Sequence, residues 1–108
     1  MKETFGEYIH KLRFENGLTL TKLAAALDID QSTLSKIENS KRSVPEEIIP
    51  KLSKFFSLDL KQLEKEYYSE KIADILYKED DNKELIKLAE EKAKYFRAKK
   101  TQQGIIEF

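Results

Sequence analysis

The 108-residue chain contains no cysteine, which excludes a disulfide framework and any thiolate metal site. Its one histidine, His10, has no partner at metal-ligand spacing and reads as a solvated side chain on the outer face of a helix. There is no glycine-rich phosphate loop among the three glycines. Without a nucleophile, a paired base or a phosphate cradle, no enzymatic activity and no cofactor are expected. No apolar run approaches the length that spans a bilayer, and the start MKETFGEY does not read as a signal peptide, so a soluble cytoplasmic protein with no membrane partner is expected. An excess of either charge is missing too: Lys plus Arg and Asp plus Glu are both 20, giving a net charge of zero. Nucleic-acid binders are usually basic, so any such role must rest on how charges are placed rather than on their sum.

What is present is helical periodicity. TFGEYIHKLRFEN at residues 4–16 puts Phe5, Ile9 and Leu12 on one face and closes at Gly17, a C-terminal cap. LTLTKLAAAL at residues 18–27 carries Leu23, Ala24 and Leu27 as a narrow apolar stripe, with Thr19 as N-cap. The segment DID interrupts this pattern, and Asp30 is placed to cap a new helix starting at Gln31. Two short helices therefore meet at a tight turn. Pro45 and Pro50 push the fourth helix to begin near Glu47, so that Pro50 falls in its first turn. Leu52, Phe55 and Phe56 supply its apolar face, and Asp59 caps a fifth helix carrying Leu60 and Leu63.

Within the second helix of the turn, Leu34 and Ile37 lie one turn apart and face inward, which directs Gln31, Ser32, Thr33, Ser35 and Lys36 outward. That set suits base edges in a DNA major groove. Gln can bond adenine N6 and N7 together, Lys can approach guanine O6 and N7, and Ser and Thr accept either kind of edge. The following loop, Asn39, Ser40, Lys41, Arg42 and Ser43, is polar and basic, suited to phosphate oxygens that fix register without reading sequence. Lys36, Lys41 and Arg42 stay close together and uncommitted, so a neutral protein can still present a local basic surface. Fewer phosphate contacts than a basic repressor makes imply a shallower salt dependence.

The string LTLTKLAAALDIDQSTLSKIENSKR resembles the helix-turn-helix of the Xre/Cro–cI type repressors, over roughly residues 5–63. The resemblance implies an all-α fold: a five-helix lambda-repressor-like domain, residues 1–66, with an appended C-terminal helical segment, residues 67–108. It implies a DNA-binding transcription regulator with double-stranded DNA as partner, similar to restriction–modification controller proteins and phage-type repressors. Base contacts fall to Gln31, Ser32, Thr33, Ser35 and Lys36, and phosphate contacts to Thr19, Asn39, Lys41, Arg42 and Ser43. Arg13 and Glu38 match the family's pair between the first helix and the end of the recognition helix, a structural ion pair. Three departures stand out. Leu20 replaces a glutamine that often reaches a phosphate, Asp28 stands where the turn usually has glycine, and Ser40 replaces another common glycine.

The second half is amphipathic. From Asp59 to Lys78 the anchors are Leu63, Tyr67, Ile72, Ile75 and Leu76, with Ser69 a candidate break. KEDDN at residues 78–82 reads as a charged linker, and a last helix over residues 82–100 carries Leu85, Leu88, Ala89, Lys92 and Phe96 along one stripe. Such a hairpin hides its apolar face on its own domain or on a second copy. Homodimerisation is favoured, because recognition helices related by a two-fold axis and about 34 Å apart read a palindrome. The alternative is an antitoxin or interaction module whose C-terminal half binds a partner protein. The tail TQQGIIEF is apolar at its end: it can pack across the dimer, or dock on another protein, since Gln103, Ile106 and Phe108 loosely resemble the peptides that bind bacterial sliding clamps.

Overall fold

The computed structural model describes residues 2–103, and side chains through residue 100. The apolar tail and its docking motif lie outside the described residues. Six helices and no strand are present among the described residues: α1 (Phe5–Glu15), α2 (Leu20–Ala26), α3 (Gln31–Glu38), α4 (Ile48–Phe56), α5 (Leu60–Lys78) and α6 (Asn82–Gln103). The fold is all-α, and none of these helices is long and apolar enough to cross a membrane.

The chain divides into two compact units, Met1–Ala73 and Asp74–Phe108. In the first, α1, α2 and α3 bury the face their periodicity marks, whereas Phe55 of α4 and Leu60 and Ile72 of α5, expected on apolar faces, are exposed. Phe5 and Ile9 of α1, Leu23 of α2 and its C-cap Leu27, Leu34 and Ile37 of α3, Leu52 of α4 and Leu63 of α5 meet in one core. Gly6 lets α1 and α3 approach closely, since a Cβ there would overlap the Ile37 carbonyl oxygen.

Helix starts follow their caps. Thr4 and Glu7 form a capping box, with Thr4 Oγ1 accepting from the Glu7 amide and Glu7 Oε1 accepting from the Thr4 amide. Pro50 sits in the first turn of α4, where the missing N–H is one the helix does not use. The helix ends share one device, a left-handed residue followed by an amide that reaches back five residues: Leu18 to Arg13, Ile29 to Ala24, Lys41 to Lys36 and Leu58 to Ser53. Only the first uses glycine, Gly17. Asp28, Ser40 and Ser57 take φ of 58°, 58° and 55°, a conformation that costs a side-chain-bearing residue about 1–2 kcal/mol.

Helix α5 does not break at Ser69. The Ser69 hydroxyl donates to the Glu66 carbonyl within the same helix, which lets a serine sit mid-helix. Residues on either side are committed to the first unit. Tyr67 is buried, packs edge-on to Phe5 and donates its hydroxyl to the Val44 carbonyl at 2.8 Å. Glu70 Oε1 accepts the Phe5 amide at 2.8 Å, satisfying a first-turn donor of α1. These two contacts carry the first unit past residue 66 to Ala73. Tyr68 donates to Glu46 Oε1 at 2.6 Å, and that bond pushes its phenol pKa up to about 12.

The second unit holds the end of α5 and all of α6. Asp81 caps α6 by accepting the Glu84 amide, and Lys78 pairs with Asp74 one turn back. None of its residues through Lys100 is buried; Leu76, Leu85 and Ala93 are half-buried, while Ile75, Tyr77, Ile86, Leu88 and Tyr95 are exposed.

Candidate nucleic-acid interface

The polar helix α3 is held at both ends. Asp30 caps it by accepting the Thr33 amide at 2.7 Å, and this bond holds the Asp30 carboxyl below its usual pKa. At the other end Glu38 is buried, its side chain 4% exposed, with both oxygens bonded. Arg13 donates Nε to Oε2 at 2.8 Å and Nη2 to Oε1 at 3.0 Å, while its Nη1 caps the Leu18 carbonyl. The pair at Arg13 and Glu38 thus ties α1, the α1–α2 loop and the end of α3 together, and the bond to Glu38 raises the Arg13 pKa.

His10 belongs to the same cluster. Its Nδ1 lies 2.7 Å from Glu38 Oε1, which corrects the reading of a merely solvated histidine. The spacing of His10 and Arg13 places both on one face of α1, the signal that could have found it. What hid it was that its acid partner, Glu38, comes from a different helix.

Of the five residues expected to face bases, Gln31, Ser32 and Lys36 are exposed and Thr33 and Ser35 half-buried. The structure does not keep them as one set. Gln31, Ser32, Ser35 and Lys36 line a shallow open depression together with Leu20 of α2. Thr33 faces a neighbouring depression with Asp28, Asp30 and Arg42, and Arg42 Nη1 approaches its hydroxyl at 3.5 Å. The cause is helical geometry: at roughly 100° per residue, positions 31, 32, 35 and 36 share one side and position 33 falls beyond it.

The expected phosphate ligands differ in what holds them. Thr19 caps α2, its Oγ1 accepting the Lys22 amide at 3.1 Å, which leaves its hydroxyl hydrogen to donate. Asn39 folds its amide back on the Ser35 carbonyl at 2.8 Å. Lys41, Arg42 and Ser43 are exposed on the loop after α3. Ser40, preceding them, meets Thr4 hydroxyl to hydroxyl at 3.0 Å, anchoring that loop to the start of α1. One residue of the surface carried no signal in the sequence: Thr21 donates its hydroxyl to Gln31 Oε1 at 2.7 Å. Among the described residues no cluster of His, Asp or Glu could hold a metal ion.

Comparison with known proteins agrees with this geometry. The chain is 44% identical over 43 residues to the HTH-type transcriptional repressor RghR of Bacillus subtilis (strain 168), an alignment covering 40% of this chain and 32% of that protein. The chain thus matches about a third of the length of that relative. No solved structure matches it. The helix-turn-helix family profile matches residues 9–63, just over half of the chain, covering α2, α3 and α4 whole with the greater part of α1 and the first turn of α5, and the chain belongs to the helix-turn-helix family, in its Xre/Cro–cI type.

Proposed function

We propose that this chain is a sequence-specific DNA-binding transcription regulator that acts in the cytoplasm as a homodimer on a palindromic operator. The carrying observation is the face of α3: Gln31, Ser32, Ser35 and Lys36 line one open depression on a helix whose two ends are fixed by Asp30 and by the Arg13–Glu38 pair. A rigid helix with polar outward side chains is what direct readout of a major groove needs. Thr33 acts with Arg42 at the edge of that surface, and Thr19, Asn39, Lys41, Arg42 and Ser43 are proposed to meet phosphates. The similarity to a transcriptional repressor supports regulation of transcription. Dimerisation through residues 74–108 is supported by the exposed Leu88 and Tyr95 of α6, seven residues apart and so on one face of the helix, since apolar stripes of this kind are covered in stable proteins. The same stripe favours one second reading, an interaction module that binds a different protein through this segment.

Selection of binding sites from a random DNA library with the purified protein tests the leading reading. Enrichment of an inverted repeat is expected, and Lys36→Ala is expected to lose about 1–3 kcal/mol at one base position. Recovery of no preferred sequence would overturn it. Sedimentation of the free protein separates the two roles of the C-terminal segment: a concentration-dependent dimer supports self-association, and a monomer at all concentrations supports a foreign partner.

A further inference from the structure

We infer that Leu20 and Gln31 together read one thymine in each half-site, Leu20 covering the 5-methyl group and the Gln31 amide donating to O4. This deepens the proposed function and rests on it. Three observations converge. Leu20 is the one apolar side chain lining the depression it shares with Gln31, Ser32, Ser35 and Lys36. It is half-buried, packed in part against the core, so its position is set by the scaffold and its remaining surface faces the depression. Finally, Gln31 is not a freely rotating amide. Its Oε1 accepts the Thr21 hydroxyl at 2.7 Å, which turns the Nε2 hydrogens away from α2 and makes the outward function of Gln31 a donor.

These two groups specify a base by its chemistry. In the major groove only thymine presents an apolar methyl beside an acceptor, O4. Adenine presents an N6 donor where thymine has O4 and carries no methyl, so it sets a donor against the outward Nε2 hydrogens and leaves Leu20 without an apolar partner. Cytosine presents an N4 donor, which a donor amide repels. Guanine offers two acceptors and no methyl, leaving Leu20 against a polar edge. A leucine here, where a glutamine would reach for a phosphate, therefore exchanges a register contact for a base contact. Thr21 is the positioning residue: it touches no base and sets which end of Gln31 points outward.

The test uses the full chain and a duplex carrying the site enriched by selection, with each thymine replaced in turn by deoxyuridine, which differs only by loss of the methyl. Binding by the unaltered protein is expected to weaken about fourfold at one thymine per half-site, the worth of one buried methyl-sized group, and to stay unchanged at the others. Leu20→Ala is expected to bind the thymine duplex about fourfold more weakly and to lose the distinction between thymine and uracil. Thr21→Val is expected to relax preference at the same position, letting adenine compete. Equal binding of every uracil duplex by the unaltered protein overturns the inference while leaving the DNA-reading function intact, and needs no variant to fold. Retained methyl sensitivity in Leu20→Ala, with helicity matching the parent, also overturns it. If selection enriches no sequence, the function and this inference fall together.

Discussion

The two units of this chain use similar residues to opposite effect. The first brings thirteen hydrophobic residues into a buried core drawn from five helices and the loop before α4. The second carries Ile75, Ile86, Leu88 and Tyr95 at comparable density and buries none of them. The difference lies in how many surfaces meet. A helix hides one apolar stripe only when other elements close over it, and in the first unit α1 to α5 do this around α3. In the second the end of α5 and α6 supply too few faces. The first unit is therefore a finished platform whose helix ends are individually fixed, and the stability of the second depends on what covers it.

The largest expected break in that contrast is at the buried carboxylate. Arg13→Ala would leave Glu38 ionised, buried and short of its main partner, and is expected to destabilise the first unit by about 3–5 kcal/mol in urea unfolding. Replacing both residues at once with Arg13→Met and Glu38→Leu is expected to recover most of that loss, because the cost comes from an unpaired charge and not from the absence of a bridge. A double variant as unstable as Arg13→Ala would show that the cluster, His10 included, contributes more than charge compensation.

Truncating the same kind of side chain in each unit sharpens the comparison directly. Leu34→Ala removes a fully buried side chain of α3 and is expected to cost about 2–5 kcal/mol. Leu88→Ala, at a position 45% exposed, is expected to change the stability of the isolated chain by less than about 0.5 kcal/mol and to weaken self-association in sedimentation. A large loss of monomer stability from Leu88→Ala would mean that the second unit has a core of its own.

Much of the first unit was legible in the sequence because its signals are local. Thr19, Asp30, Gly17 and Pro50 mark helix starts and ends by chemistry that acts within a few residues, and Leu34 and Ile37 give the buried face of α3 by spacing alone. What escaped was set by contacts between distant residues. Ser69 looked like a cap until Tyr67 and Glu70 committed the helix to Val44 and Phe5. His10 looked solvated because its acid partner is in α3, and Gly6 gave no sign of its approach to Ile37. At the candidate interface, residue type predicted an outward set but not its division, which depends on Leu20, Thr21 and Arg42 arriving from neighbouring segments.

A smaller effect separates the helix ends from one another. Ser57 holds a left-handed φ of 55°, and Ser57→Gly is expected to stabilise the first unit by about 0.5–1 kcal/mol in thermal unfolding, the relief of side-chain strain less the entropy glycine gains in the unfolded chain. Gly17→Ala, at φ 63°, is expected to change stability by a similar amount in the other direction. Equal sign for the two would mean that the serine end is stabilised by something beyond the backbone turn.

The smallest expected effect is a dependence on pH at the start of α3. The backbone bond from Thr33 holds the Asp30 carboxyl below its ordinary value of 3.8, with Arg42 and Lys36 acting in the same direction. A carboxyl lowered in the folded state favours folding fully above its unfolded pKa, and that contribution disappears as pH falls through the lowered value. Asp30→Asn keeps a side-chain oxygen to accept the Thr33 amide but cannot titrate. The unaltered protein should therefore be the more stable of the two near neutrality, and the gap should close as the pH falls below about 4. Because the second unit has no part in this cap, the closing gap should be seen in the unfolding of the first unit while self-association in the same pH range responds equally in both proteins.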